Sequence, residues 1–366
     1  MIRHAILLAV LSCAGGLLAQ PEFPVPSDVL TIMERAADWQ LAHPDPERNP
    51  DTWHNATLYA GVMALAKISA APRFTNEMLQ IGRQQKWQFG PRGYNPDDQA
   101  VGQTWAELSL QQHDPSMIAP LQRQFDLIMA HPANGNLEYN RATNPDYKKQ
   151  WTWCDALFMA PPTWIRLWKA TGDHQYLDYA VEHWWHTSDY LYDHDEDLFY
   201  RDSTYFHRRE SNGAKVFWSR ANGWVMAGLA RIIPLLPADH PSRSRFIHQF
   251  QAMAARVLAC QQPDGLWRAS LLDPAAYPMK ESSGSAFFCF ALAWGVNQEL
   301  LDRDKFMPAI LKAWHALSEC VTADGRVTHV QPVGSTPETF NPNHTAPYGT
   351  GAFILAGSEV YRLIQP

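Results

Sequence analysis

Hydrophobic residues recur with the period of an α-helix along almost the whole chain after residue 20, and the alternation typical of half-buried strands is nearly absent. A chain of 366 residues can bury a large core, and this pattern requires that core to be built by packing helices on helices. The predicted helices lie at roughly 27–43, 55–70, 73–87, 98–113, 115–131, 153–171, 174–191, 218–236, 240–262, 283–299, 302–320 and 348–363.

The connections between these helices alternate in length. Short breaks follow every second helix, whereas long segments such as 132–152, 192–217, 263–282 and 321–347 separate the resulting pairs. Helix pairs joined by tight turns predict six helical hairpins, and closing them into a ring gives an all-α (α/α)6 barrel with long loops on one face. An open helical solenoid has the same periodicity, although no polar terminal repeat is present. No low-complexity linker divides residues 20–366, which predicts a single domain.

The N-terminal segment has the features of a cleaved signal peptide. Arg3 precedes an apolar stretch over 5–18 that is too short to span a membrane, and Ala19 offers a small residue for cleavage. Residues 1–19 are therefore expected to be removed, which makes the mature protein secreted or periplasmic. Lipidation at Cys13 is the alternative, because the residues before it resemble a lipobox.

Composition and missing motifs exclude several classes of function. The formal net charge is -7 and no block of Lys or Arg stands out, so neither nucleic acid nor an anionic membrane is an expected partner. Cys-x-x-Cys pairs and a Gly-x-Ser-x-Gly elbow are missing. The acidic turn at Asp193 lacks the Gly and Glu of a calcium loop, and His183 and His186 lack a Glu-x-x-His pattern. We therefore expect no metal and no cofactor, which leaves paired carboxylates to carry the chemistry.

Carboxylates stand at two predicted helix starts. Asp97 and Asp98 are adjacent, and like charges this close raise the pKa of one carboxyl, which is useful for proton transfer. Asp155 opens an apolar helix beside Trp153 and Cys154, a setting that raises a carboxyl pKa and suits a general acid. All three positions also suit a helix N-cap. By itself, the pattern favours capping at the first site and function at Asp155.

Aromatic residues and one arginine suggest a sugar site. The chain has 15 Trp, and a Trp ring can stack on a sugar or fill a helical core. Arg220 lies between Trp218 and Trp224 at a helix start, where its planar guanidinium could hold a carboxylate at two points. A structural Arg–Asp bridge among core Trp residues is the alternative. Further sugar contacts are predicted at Trp53, Tyr59, Tyr205 and Tyr348.

Together these segments resemble the unsaturated rhamnogalacturonyl hydrolases of glycoside hydrolase family 105, which are related to the unsaturated glucuronyl hydrolases. The similarity extends over nearly the whole chain after residue 20 and depends on the order and spacing of several segments. It implies an (α/α)6 barrel that acts on the 4,5-unsaturated uronic acid left by polysaccharide lyases at a non-reducing end. The segments are 53–65, 97–103, 155–160, 218–224, 283–288 and 348–353.

The same resemblance implies roles for individual residues. Asp155 corresponds to the general acid and base, which protonates C4 of the vinyl ether and then helps water to add at C5. Asp97 or Asp98 corresponds to a second important aspartate, and Trp218 and Arg220 correspond to sugar contacts. The implied substrate is a short pectin-type oligosaccharide, and its leaving sugar stays open.

One position departs from the family. Some members carry His just after the Leu-Phe-Tyr run, where this chain has Arg201, so that the role of this position and the preference for the leaving sugar stay open. Two other interpretations also stay open. The chain could be another toroidal enzyme, such as a sugar epimerase or a lyase, or a sugar-binding protein of the same fold without catalytic activity.

Overall fold

The structure is a computed structural model that describes residues 24–133 and 135–365. The predicted signal peptide and Cys13 lie outside the described residues, so export and lipidation stay predictions. The α-helices of the described residues are α1 Pro26–Ala42, α2 Trp53–Ala66, α3 Arg73–Gln84, α4 Pro96–Gln99, α5 Gly102–Gln112, α6 Ala119–Ala130, α7 Ala156–Met159, α8 Pro161–Thr171, α9 His174–Leu191, α10 Ser219–Ile232, α11 Arg243–Ala259, α12 Ser282–Asn297, α13 Arg303–Ser318 and α14 Pro347–Leu363.

Other regular structure is short. Strands β1 Tyr192–Asp193 and β2 Leu198–Phe199 pair antiparallel, with Tyr192 opposite Phe199. Single turns of 3-10 helix occur at Pro115–Ile118, Tyr147–Lys149, Ser203–Tyr205 and Ile233–Leu235. The predicted all-α class is confirmed.

Six helices form an inner ring. Going around it, α2 packs on α5, α5 on α8, α8 on α10, α10 on α12, α12 on α14, and α14 again on α2. The outer helices α1, α3, α9, α11 and α13 each pack against an inner helix, and α6 packs on the 3-10 turn that follows α5. Contact between the last helix and the second closes the ring, so the (α/α)6 barrel is confirmed and the open solenoid is excluded.

The order of inner and outer helices determines where the long loops lie. Each inner helix follows an outer one, so all six inner helices run in the same direction around the axis. The long connections enter the inner helices at their N-terminal ends, and short turns leave them at the opposite ends. We call the end formed by the inner-helix N-termini and these loops the mouth. It is the place where residues distant in sequence come together.

The seam between α2 and α14 depends on glycine. A Cβ atom on Gly61 would lie 2.6 Å from the carbonyl oxygen of Gly351, closer than real side chains approach a backbone. Two glycines facing each other therefore let the two helix backbones pack directly. The inner helix α12 is also buried on every side, because all of its residues from Ser282 to Val296 are buried. Among the described helices, none is long and apolar enough to cross a membrane.

The predicted helices occur within a few residues of their expected bounds, with two divided. The segment 98–113 contains α5 and the last residues of α4, and 153–171 contains α7 and α8. In the second case Pro161 and Pro162 lack backbone N–H groups, so the helical hydrogen bonds cannot continue through them. The preceding short helix leaves Asp155 at its N-cap position, facing the mouth region instead of lying within a continuous helix.

A buried ion cluster links three inner helices further along the ring. Glu107 on α5 accepts hydrogen bonds from Arg166 on α8 at 2.8 Å and from Arg231 on α10 at 3.0 Å, and Lys67 lies 3.1 Å from its other oxygen. Burial alone would raise the pKa of Glu107, but these three cations together hold it well below its ordinary value. The cluster thus ties neighbouring inner helices together by charge as well as by packing.

Replacing Glu107 with Gln should lower the free energy of unfolding by about 3–5 kcal/mol, because it leaves two buried guanidinium groups without their counter-charge. Since the pKa of Glu107 is lower in the folded state than in the unfolded state, this stabilisation is present at neutral pH and lost as the pH falls. Urea denaturation at several pH values measures both effects.

The matched control is Glu319→Gln, which removes an exposed partner of Lys280 and should change stability by less than about 1 kcal/mol. Equal losses in the two variants would contradict the role given to the cluster.

Candidate active site

The tandem aspartates lie at the mouth, but neither caps its helix. Asn95 is the N-cap of α4, and its side chain accepts a hydrogen bond from the backbone N–H of Asp97 at 3.0 Å. The carboxylate of Asp97 makes no hydrogen bond to another described residue and is only partly buried. The capping alternative that the sequence favoured at this position is therefore wrong, and one carboxylate is left available.

Asp98 is engaged by its own loop. The side chain of Arg92 donates from Nε and Nη2 to both carboxylate oxygens, and the backbone N–H of Arg92 donates to Oδ2 at 2.7 Å. Asp98 is 5% exposed, so these bonds satisfy it almost completely. The two neighbours thus differ: Asp98 shapes the loop, and Asp97 has the free carboxylate.

Asp155 is held at the mouth by a second loop. The backbone N–H of Cys154 donates to the carbonyl of Arg201 at 2.9 Å, and Trp153 pairs antiparallel with Asp202. This bridge lays the residues before α7 along the chain that follows β2. Asp155 is 8% exposed and makes no capping bond with its side chain within the described structure. Its nearest cation is Arg201, whose Nε lies 3.5 Å from Oδ2.

The two acids are electrostatically coupled. Burial, followed by the charge of Asp155, raises the pKa of Asp97 to about 7. Burial also raises the pKa of Asp155, and the positive charges of Arg201 and Arg220 oppose that rise. Carboxyls in such a setting retain a proton closer to neutral pH than free aspartic acid does. The pair can therefore hold and deliver a proton, which is what general acid catalysis requires.

Arg220 has a different environment from the one that the sequence suggested. It is 1% exposed, and its guanidinium donates to the carbonyls of Gln331 and Pro332 at 2.5 and 2.7 Å. The group lies 4.5 Å from the ring of Trp218 and 5.1 Å from that of Tyr348. Arg220 thus fastens the long loop before α14 to the start of α10. Its direct contact with a sugar stays a prediction.

Three predicted aromatic contacts form one cluster at the mouth. Trp53 is partly exposed, and its ring centroid lies 5.1 Å from that of Tyr348 and 5.9 Å from that of Trp224. These residues begin α2 and α14 and lie in the first turns of α10, so the ring brings them together. The start of α10 also contacts the acid segment, because the Sγ atom of Cys154 lies 3.6 Å from the carbonyl oxygen of Ala221.

Two other predicted sugar contacts, Tyr59 and Tyr205, are buried against other side chains of the protein. Tyr59 is buried one turn and a half into α2 and faces Trp105, with ring centroids 6.2 Å apart. Tyr205 is buried under the guanidinium of Arg208, and its hydroxyl donates to the carbonyl of Ser335 at 2.7 Å. Among the described residues, neither tyrosine forms a hydrogen bond with Asp97, Asp98 or Asp155. Their sugar-binding role stays a prediction.

The mouth also contains functional candidates that the sequence did not single out. Several buried polar atoms there have no hydrogen-bond partner among the described residues, which is uncommon in a folded interior. They include both ring nitrogens of His54, the hydroxyls of Thr52, Ser219 and Thr345, and Nε of Arg201. Burial lowers the pKa of His54 to about 3, so its ring is neutral. Unsatisfied groups gathered at one site indicate a place that binds a polar ligand.

Comparison with known proteins agrees with this geometry. The model of Glycosyl Hydrolase Family 88 matches residues 30–364, which is nearly the whole described chain. The chain belongs to glycosyl hydrolase family 88. It is 37% identical to an unsaturated 3S-rhamnoglycuronyl hydrolase of Formosa agariphila, with 92% of this chain and 91% of the relative covered. The resemblance inferred from the sequence is therefore confirmed, and the chain is a glycoside hydrolase.

Two further proteins are similar to this chain over most of its length. An unsaturated 3S-rhamnoglycuronyl hydrolase of Alteromonas sp. (strain LOR) is 34% identical, with 93% of this chain and 88% of the relative covered. A solved structure named as a polysaccharide lyase is 31% identical, covers 92% of this chain and 97% of its own, and superposes with a TM-score of 0.83. Similarity thus covers at least 88% of each of these two proteins.

Replacing Arg220 with Gln should lower the free energy of unfolding by about 2–4 kcal/mol, because two buried carbonyls lose a charged donor. The loop over 321–346 should become more sensitive to limited proteolysis, since Arg220 holds its central residues. Arg245→Gln is the control, because Arg245 makes an exposed ion pair with Asp189. If Arg220→Gln loses no more stability than Arg245→Gln and the loop resists proteolysis as in the wild type, Arg220 does not hold the loop in place.

Proposed function

We propose that this family 88 hydrolase removes a 4,5-unsaturated uronic acid from the non-reducing end of oligosaccharides produced by lyases. The single observation that carries the proposal is the environment of Asp155: a buried carboxyl without a capping role, coupled to the carboxylate of Asp97, in a segment that contacts the start of α10. An enol ether is protonated on carbon, which needs a positioned acid and no metal. The names of the relatives support an unsaturated substrate.

The proposed reaction is a hydration. Asp155 donates its proton to C4, and the positive charge that develops at C5 is shared with the ring oxygen. Water adds to C5, and the Asp155 carboxylate accepts its proton, so one residue acts first as acid and then as base. The hemiketal opens to a ketone at C5, and the hemiacetal left at C1 expels the leaving sugar. Asp97 would hold the acid or a substrate hydroxyl in place.

The leaving sugar is proposed to be rhamnose. The two relatives at 34–37% identity carry 3S-rhamnoglycuronyl in their names, and both are covered almost completely. An unsaturated rhamnogalacturonyl hydrolase of Bacillus subtilis is 26% identical over 49% of this chain, and its name also contains rhamnose. The three names therefore support a rhamnose-linked substrate, and the higher identity of the first two favours a glucuronyl over a galacturonyl uronate. Turnover of a panel of unsaturated disaccharides with plain rhamnose, 3-sulfated rhamnose and galacturonate as leaving sugars tests this choice.

A lyase is the second candidate, because a solved structure with that name shares 31% identity with this chain. The ultraviolet absorbance of the conjugated double bond separates the two reactions. A hydrolase of this kind consumes the double bond, so absorbance falls on an unsaturated disaccharide. A lyase creates the bond, so absorbance rises on the intact polysaccharide.

Asp155→Asn should reduce kcat by at least about 10³-fold, because the amide cannot donate a proton to carbon. The substitution is nearly isosteric, so the thermal unfolding midpoint and substrate binding should change little. Asp178→Asn, at an exposed position on α9, is the matched control and should keep full activity. Wild-type rates in Asp155→Asn would remove the basis of the proposed mechanism.

Substitutions at the two tandem aspartates should have different effects, one mainly on kcat and the other mainly on stability. Asp97→Asn should lower kcat by about 10²-fold with little effect on stability, because its carboxylate is free and coupled to Asp155. Asp98→Asn should cost about 1–3 kcal/mol of stability, since it weakens the bonds to Arg92, with a smaller direct effect on kcat. Steady-state kinetics and urea denaturation of both variants measure the difference, and the reverse pattern would exchange the two roles.

A further inference from the structure

Arg201 is the cation closest to the proposed acid. Its side chain is 12% exposed, and its Nε lies 3.5 Å from Oδ2 of Asp155. The plane of the guanidinium is supported by Tyr139, whose ring centroid lies 4.7 Å away. The backbone of Arg201 is fixed as well, because its carbonyl accepts the N–H of Cys154. The charge is thus held in one place beside the acid.

This guanidinium faces two carboxylates of the protein, but among the described residues it forms a hydrogen bond with only one of them. Nη1 donates to Asp202 at 2.7 Å, and Asp202 is itself fixed by the backbone and hydroxyl of Thr204. Nε and Nη2 have no hydrogen-bond partner among the described residues, and Nε is buried. These two nitrogens form the edge through which arginine donates two parallel bonds to a carboxylate. Arg92 uses this same edge on Asp98.

The substrate carries a carboxylate that must lie near Asp155 when its C4 atom is protonated. In a 4,5-unsaturated uronic acid the carboxylate is attached to C5, which is bonded to C4. If Asp155 reaches C4, the carboxylate lies two bonds further on, within reach of groups that flank the acid. Arg220, the other cation that acts on Asp155, already donates to two carbonyls and to Ser283. Arg201 therefore has the free donors and the closer position.

We propose that Arg201 binds the carboxylate of the unsaturated sugar through Nε and Nη2 and thereby places C4 against Asp155. This inference depends on the proposed function and names the residue that recognises the charged end of the substrate. It also moves that role from Arg220, where the sequence suggested it, to a position at which the chain departs from some of its family.

Binding at Arg201 has an electrostatic consequence. In the free enzyme the guanidinium charge stabilises the ionised form of Asp155, which opposes its use as an acid. A bound carboxylate neutralises that charge, so Asp155 keeps its proton to a higher pH in the complex. Substrate binding would thus favour the reactive protonation state. The charged and titratable groups that act on Asp155 are Asp97, Cys154, Arg201, Asp202 and Arg220.

Affinity measurements on two ligands test the contact. The unsaturated disaccharide and its uronate methyl ester are titrated by calorimetry into Asp155→Asn, which should bind without turnover. The acid should bind about 10- to 100-fold more tightly than the ester, because the ester cannot accept two charge-assisted bonds. In Asp155→Asn combined with Arg201→Gln, the affinity for the acid should fall to that for the ester.

Two further variants serve as controls. Arg201→Lys keeps the charge without the two-pronged edge and should retain part of the preference for the acid. Arg208→Gln removes an exposed cation that lies over Tyr205, seven residues along the same segment, and should leave the preference unchanged. If the Arg201→Gln variant still binds the acid more tightly than the ester by the same factor, the proposal is overturned. If its affinity falls for the acid but not for the ester, the proposal is supported.

The pH dependence gives an independent readout. The alkaline limb of kcat/KM reports the free enzyme and that of kcat reports the complex. In the wild type the kcat limb should lie at higher pH than the kcat/KM limb. In Arg201→Gln the kcat/KM limb should move to higher pH than in the wild type, because the free enzyme loses the charge that favours ionised Asp155. An unshifted kcat/KM limb counts against Arg201. The proposed function is tested beforehand by wild-type consumption of the double bond, so its failure is distinguishable from a wrong assignment of Arg201.

Discussion

The direct packing of α14 on α2 is the contact on which the rest of the structure depends. It converts a row of helical hairpins into a ring, and it is possible because Gly61 meets the backbone of Gly351. Once the ring is closed, the inner helices must run in parallel and their N-terminal ends must meet. Residues as distant in sequence as Trp53, Asp155 and Tyr348 then surround one site. Closure is thus a condition for the site as well as for the core.

The site has features that do not favour stability. Buried hydroxyls, a neutral imidazole and an arginine nitrogen at the mouth have no hydrogen-bond partner among the described residues. Such groups each cost free energy, whereas the Glu107 cluster further along the ring is fully paired. The inner helices thus stabilise the fold around Glu107, whereas their N-terminal ends at the mouth provide polar groups for binding. This contrast also explains why the loops of the mouth need strong internal fixation, such as the bonds of Asp98 and Arg220.

The sequence predicted the fold well because outer helices such as α3 have one apolar face, and buried inner helices such as α12 are long apolar segments between polar loops. It also singled out Asp155 as the candidate acid, because a carboxyl at the start of an apolar helix is unusual. The structure buries this residue at the start of α7, and its catalytic role stays a prediction. The sequence could not separate Asp97 from Asp98, because the partner that distinguishes them, Arg92, lies in an irregular loop. It placed Arg220 beside Trp218 correctly but could not reveal its carbonyl partners, because these come from residues more than a hundred positions later. In the sequence, Arg201 stands out only as the position at which some family members have His. Its place beside Asp155 depends on the bridge between Trp153 and Asp202, which the sequence does not reveal.

The separation of long and short connections has a consequence for how this architecture can change. Every long loop enters the ring at the mouth, so insertions and deletions there reshape the mouth without altering how the inner helices pack. The Asp155 segment, however, is fastened to the loop after β2 by backbone hydrogen bonds that do not depend on side-chain identity. Descendants of such a chain could therefore exchange one aglycone for another by loop remodelling while the proton donor stays in register.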